Sequence, residues 1–120
     1  MNEHHGTTRK VIVHDGVAVK FAKDERGRRG NLREAELWSR YSDHPERSRM
    51  LCPVLWCAGD GAVLIMRQAQ PVGEDFDYSM LPNWDYLGGD DDGDPFEPKA
   101  LDWGILDGHV VAVDYAVDVL

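Results

Sequence analysis

Three Asp-Gly pairs constrain this chain more than any other feature: Asp15-Gly16, Asp60-Gly61 and Asp107-Gly108. Each lies between short runs rich in β-branched and aromatic residues. A type I′ turn needs positive φ at both central positions, which glycine adopts freely and aspartate better than most residues. Each pair therefore predicts a β-hairpin. The first joins residues 10–14 (KVIVH) to 17–22 (VAVKFA), the second joins 54–58 to 62–67, and the third joins 103–106 to 109–116.

One helix interrupts the hairpins. Asn31-Leu32-Arg33-Glu34 has the form of a capping box, with asparagine at the N-cap and glutamate at N3. Leu32, Ala35, Leu37, Trp38 and Tyr41 then recur at helical spacing, and His44-Pro45 should stop the helix. The preceding KDERGRRG reads as a polar, glycine-punctuated loop. The predicted fold class is thus α+β: an antiparallel sheet of three hairpins with one packed helix. At 120 residues the chain is long enough for one domain (1–120) with a real core, and too short for a two-lobed enzyme. The edge strands of so small a sheet allow either a monomer or a homodimer.

Charge is segregated along the chain. Residues 1–67 carry 12 Lys/Arg against 9 Asp/Glu, whereas residues 68–120 carry only Lys99 against 13 acidic residues. Net charge is −9. This argues against direct nucleic-acid binding and for one strongly anionic face or loop, which also serves solubility. The acidic side chains concentrate in 71–99, a Gly- and Pro-rich stretch that reads as a long loop. Its DDDGD run (90–94) is no EF-hand, because a loop starting at Asp90 would need glycine and glutamate where Pro95 and Leu101 stand. Cys52 and Cys57 are too few for a zinc site and read as reduced, buried strand cysteines. No run approaches the length of a membrane span, and MNEHHGTTRK has no apolar core of a secretory signal, so a cytoplasmic location is expected.

The stretch Val17-Ala18-Val19-Lys20 sets a lysine in an apolar strand, followed 14 residues later by Glu34 on the helix. Together with the element order, this resembles the small lobe of the protein kinases, with residues 6–70 as its core and 101–116 as the C-terminal hairpin. The resemblance implies a nucleotide cleft. Ala18 would lie under the adenine, Lys20 on the phosphates and Glu34 on Lys20, with Glu36 a weaker choice and Met66 near the cleft's apolar end. In the alternative reading, Glu34 merely closes the capping box with Asn31. The glycine-rich turn of a kinase is reduced here to Gly6 and Val11, and the first strand should be short or missing. Asp102 and Asp114 stand where kinases hold magnesium, Asp114 within Asp114-Tyr115-Ala116; a strand-end aspartate facing solvent is the other reading. Glu97, five residues before Asp102, occupies the place of the catalytic aspartate.

The departures from the family are large. The His-Arg-Asp loop and the whole helical lobe are missing. The resemblance is to short kinase-like proteins of bacteria and phages, and it implies a reduced, non-catalytic binding or regulatory domain (a pseudokinase) that retains at most a cleft for ATP and Mg2+. A second possibility is a small acidic inhibitor of nucleic-acid-binding machinery, of the anti-restriction or anti-CRISPR type. It would engage a basic surface on another protein through Asp90, Asp91, Asp92 and Asp94, with Trp84 and Tyr86 as anchors or as tethers to the sheet. A third is a minimal phosphotransferase using Glu97 as base.

Overall fold

A computed structural model describes residues 2–5, 8–73, 75, 79 and 102–116. The chain is α+β, with one helix packed against antiparallel sheet. Strands β1 (Asn2–His5), β2 (Arg9–His14) and β3 (Val17–Ala22) lead into helix α1 (Glu25–Tyr41). A 3-10 turn (Arg47–Arg49) precedes β4 (Val54–Cys57) and β5 (Val63–Arg67). These five strands form one sheet in the order β1-β2-β3-β5-β4. The short β6 (Gln70–Pro71) then pairs with β7 (Trp103–Leu106), which pairs with β8 (His109–Ala112) in a second, three-stranded sheet.

The three hairpins form as the Asp-Gly pairs predict, but only two use the expected turn. Asp15 and Gly16 have φ of +51° and +82°, and Asp107 and Gly108 have +51° and +85°, as a type I′ turn requires. At the second pair only Gly61 is positive, at +78°. A longer connection forms there, in which the Asp60 carboxylate accepts from the Ala62 N–H at 2.9 Å. The helix imposes the difference: a Cβ on Gly61 would lie 2.3 Å from the Arg28 carbonyl oxygen.

Helix α1 begins six residues before the expected N-cap. Asp24 is the cap, its carboxylate accepting from the Gly27 N–H at 2.9 Å. Residues 25–30 of the segment expected as a loop form the first turns of the helix, and Gly27 among them has a packing purpose. A Cβ on Gly27 would stand 2.3 Å from the Thr8 carbonyl oxygen, so only glycine lets the helix lie this close to the end of the β2–β3 ribbon. Asn31 is consequently an interior, fully buried residue. Beyond this, β1 is present and short, β6 was not anticipated, and β8 stops at Ala112 rather than at residue 116.

The inner sheet face is set by register. Val11 stands opposite Lys20, Lys20 opposite Leu64, and Ala18 opposite Met66, so all five share the face toward the helix. The core of Leu37, Leu51, Leu64, Met66, Trp103 and Tyr115 spans both sheets. A parallel bridge between Leu51 and Ala112 ties the second sheet to the segment before β4. Its hydrogen bonds run from Cys52 N–H to the Ala112 carbonyl (2.9 Å) and from Ala112 N–H to the Met50 carbonyl (2.7 Å). Both cysteines are unbridged. Cys52 is buried just outside a strand, and Cys57 is half-buried at the end of β4. Among the described residues, no helix is long and apolar enough to cross a membrane.

The glycine contact is testable. Gly27→Ala should lower stability by about 1–3 kcal/mol through overpacking against Thr8. Gly59→Ala, whose Cβ would meet nothing within 4 Å, should stay within about 0.5 kcal/mol of the parent. Equal denaturant midpoints for the two variants would refute the close-approach account.

Candidate functional site

Four charged side chains from four parts of the chain converge between the sheet and the helix. Strand β3 turns Lys20 inward, and α1 presents Asn31 and Glu34 one turn apart. Strand β2 contributes Arg9, two residues before Val11 on the same face. The stretch after β8 contributes Val113, Asp114 and Tyr115.

Glu34 is the hub and is fully buried. Its Oε1 accepts from Lys20 Nζ at 2.9 Å and from Arg9 NH1 at 2.7 Å. Its Oε2 accepts from Arg9 NH2 at 3.2 Å and from the Tyr115 backbone N–H at 2.9 Å. The Arg9 fork is bidentate, the geometry in which a guanidinium matches a carboxylate best. Arg9 also donates to the Asp114 carboxylate at 3.2 Å and to the Asn31 side-chain oxygen at 3.0 Å. The Asn31 amide spends its N–H groups on the carbonyls of Lys20 (3.2 Å) and Gly61 (2.8 Å). Lys20 further donates to the Val113 carbonyl. Two cations thus face two anions, and Glu34 accepts four hydrogen bonds in a space that excludes water.

The electrostatics follow from this enclosure. Burial alone would push the Glu34 carboxyl up. The charges of Arg9 and Lys20 and their hydrogen bonds outweigh it and hold the group down to about 2. Burial likewise acts to lower Arg9, but Glu34 and then the two aspartates Asp114 and Asp102 raise it above its ordinary value. Burial raises the Tyr115 phenol, whose O–H donates to the Cys52 carbonyl at 2.8 Å. It also raises the Cys52 thiol, to about 12.

The residues expected from the sequence divide into three groups. Lys20 and Glu34 meet, and the capping-box alternative for Glu34 falls because the helix starts at Glu25. Val11, Ala18 and Met66 share the inner face with Lys20. Asp102 and Asp114 are brought side by side, the Asp102 carbonyl accepting from Val113 N–H (2.8 Å) and Asp114 N–H (3.4 Å). Glu36, the weaker candidate, instead makes a pair with Arg40 at 2.6 Å on the outer helix face. Gly6, Trp84, Tyr86, Asp90, Asp91, Asp92, Asp94 and Glu97 lie outside the described residues. Arg9, Asn31 and Tyr115 were not foreseen. The signal for Arg9 was its place two residues before Val11, which puts a cation on an inward strand position.

Lys20 and Asp114 are both engaged within the protein. The Lys20 ammonium is held by Glu34 and a backbone carbonyl, with its side chain only 6% exposed. The Asp114 carboxylate is directed onto Arg9. Among the described residues, no group of three or more His, Cys, Asp or Glu is arranged to hold a metal ion.

Glu34 sets a pH dependence. Its folded-state value lies below the unfolded value near 4.5, so the unfolded chain binds more protons in that interval and stability rises with pH. The contribution is fully present above about pH 4.5, is lost as pH falls toward about 2, and is on the order of 3 kcal/mol. Glu34→Gln should cost about 3–5 kcal/mol at neutral pH, because it strands two buried cations. It should also flatten the acid limb of the stability curve. An unchanged acid limb in this variant would refute the assignment.

Comparison with protein-family models, with curated proteins and with solved structures finds no match for this chain.

Proposed function

We propose that this chain is a non-catalytic binding or regulatory domain on a scaffold resembling the small lobe of a protein kinase. The observation that carries the reading is the state of Lys20. Its ammonium is buried against Glu34 and the Val113 carbonyl, rather than held at a surface where a phosphate would meet it. A lysine so placed joins strand β3, helix α1 and the segment after β8. Phosphoryl transfer depends on a cation and a metal poised at the transferring group, and this network spends its charges internally. The expected site residues for ATP and Mg2+ therefore serve architecture in this reading. Two unbridged cysteines suit a reducing, cytoplasmic setting.

Thermal melting with and without millimolar ATP and Mg2+, on the wild type and on Lys20→Met, tests this. A ligand at a hundred times its dissociation constant adds about 2.7 kcal/mol, a shift on the order of 10 °C for a domain of this size. The expected result is no shift in either protein. A wild-type shift of that size, abolished in Lys20→Met, would establish a working nucleotide cleft and overturn the proposal.

The segregation of charge favours a partner as the object of binding. With 13 acidic residues against one lysine, residues 68–120 suit a protein that presents a basic surface. This is the acidic-inhibitor reading, and it shares the non-catalytic scaffold. Replacing Asp90, Asp91, Asp92 and Asp94 together by asparagine should weaken the complex and reduce its salt sensitivity. Affinity that is unchanged by the replacement and indifferent to salt would count against this mode of recognition.

A further inference from the structure

Strand β4 departs from regular pairing at one position, and that departure decides what the sheet presents to its surroundings. Val54 stands opposite Met66 and Trp56 opposite Ile65, so Leu55 is one residue in excess of the partner strand, a β-bulge. Val54 and Cys57, on either side of the pair, pack against the core. Leu55 and Trp56 both turn away from it, 54% and 55% exposed, where strict alternation would set one of two neighbours inward. They extend a cross-strand row on the face opposite helix α1, in which Ile12 stands against Val19, Val19 against Ile65 and Ile65 against Trp56. Phe21, one row along on the same face, is 38% exposed. Scattered apolar residues on a surface need no explanation, but a contiguous set of this kind marks an interaction surface.

We propose that this outer face of the five-stranded sheet, centred on the Leu55–Trp56 bulge, packs against the same face of a second copy of the chain. Charge favours this face for self-association. At a net charge of −9, two copies repel each other in general. The outward positions of β2, β3, β4 and β5 include no acidic residue, and their Lys and Arg side chains are Lys10 and Arg67. These stand at opposite ends of the face, and Arg67 is paired with Asp107 at 3.1 Å. A two-fold axis along or across the strands therefore sets neither cation on its own copy. Shape agrees, because two sheets of one twist stack with their strands about 30° apart. Four strands about 4.8 Å apart give a face on the order of 300 Å2 in projection. Two such faces in contact remove on the order of 1,000 Å2 from water, near the lower limit of specific interfaces, so the dimer is expected to dissociate on dilution. The inference does not rest on the state of Lys20, and either reading can fail without the other.

Sedimentation equilibrium of the whole chain, from micromolar to submillimolar protein, tests this on the wild type, Trp56→Lys and Ile105→Lys. Ile105 is a comparably exposed apolar residue, 42%, on β7 of the other sheet. The average mass of the wild type and of Ile105→Lys should rise with concentration from one copy toward two. Trp56→Lys should remain at one copy throughout, with an unchanged circular dichroism spectrum. If that spectrum shows Trp56→Lys unfolded, Leu55→Lys takes its place with the same expectation. A wild type that stays at one copy overturns the proposal and leaves the face to a different protein. A mass that climbs past two copies, or a Trp56→Lys variant that is folded and pairs as the wild type does, overturns it as well. So does an association lost in Ile105→Lys and kept in Trp56→Lys.

Discussion

The fold turns on one buried carboxylate. Glu34 receives hydrogen bonds from a strand arginine, a strand lysine and a backbone amide beyond the last strand. Those donors arrive from three directions, so the height of the helix above the sheet, its rotation about its own axis and the docking of the second sheet are settled together. Such a network is not a cheap source of stability. Replacing a whole buried ion cluster by hydrophobic residues is often neutral or better, whereas removing one member strands the others. Its physical contribution is to geometry: few other arrangements of these elements would satisfy all four acceptor positions at once.

Close contact between backbone surfaces makes that geometry possible. Gly27 lies against Thr8, and Gly61 lies against Arg28 with no room for a Cβ at either contact. The helix consequently sits low enough for the short Asn31 side chain to reach the carbonyls of both Lys20 and Gly61. One amide thereby fastens strand β3 and the β4–β5 connection to the same turn of helix that carries the hub.

Local chemistry in the sequence was legible where it stayed local. Asp15-Gly16 and Asp107-Gly108 dictate their turns because nothing crowds the glycine of either pair. Asp60-Gly61 departs from the same rule because the helix presses on Gly61, a constraint no neighbouring residue announces. The helix start was hidden for a related reason. GRRG looks like a loop when glycine is weighed by propensity alone, yet Gly27 answers to the Thr8 carbonyl across the interface. Lys20 and Glu34 could be paired from their spacing and their resemblance to a known motif. Arg9 could not, since its partners lie 22, 25 and 105 residues away. Asn31 was seen as a cap because the four-residue pattern fits, and only the earlier cap at Asp24 excludes it.

These separations also bear on the order in which the molecule is assembled. The hub on the helix acquires its amide donor from a residue 81 positions later, and Arg9 acquires its aspartate from one 105 positions later. Without the residues after β8, Glu34 would lose the Tyr115 amide and Arg9 would lose the Asp114 carboxylate. Contacts of such long range are slow to form. The last strands and the residues after them therefore close the charged centre from outside, and a nascent chain short of Tyr115 is a sheet and helix whose interior polar groups are still waiting to be matched.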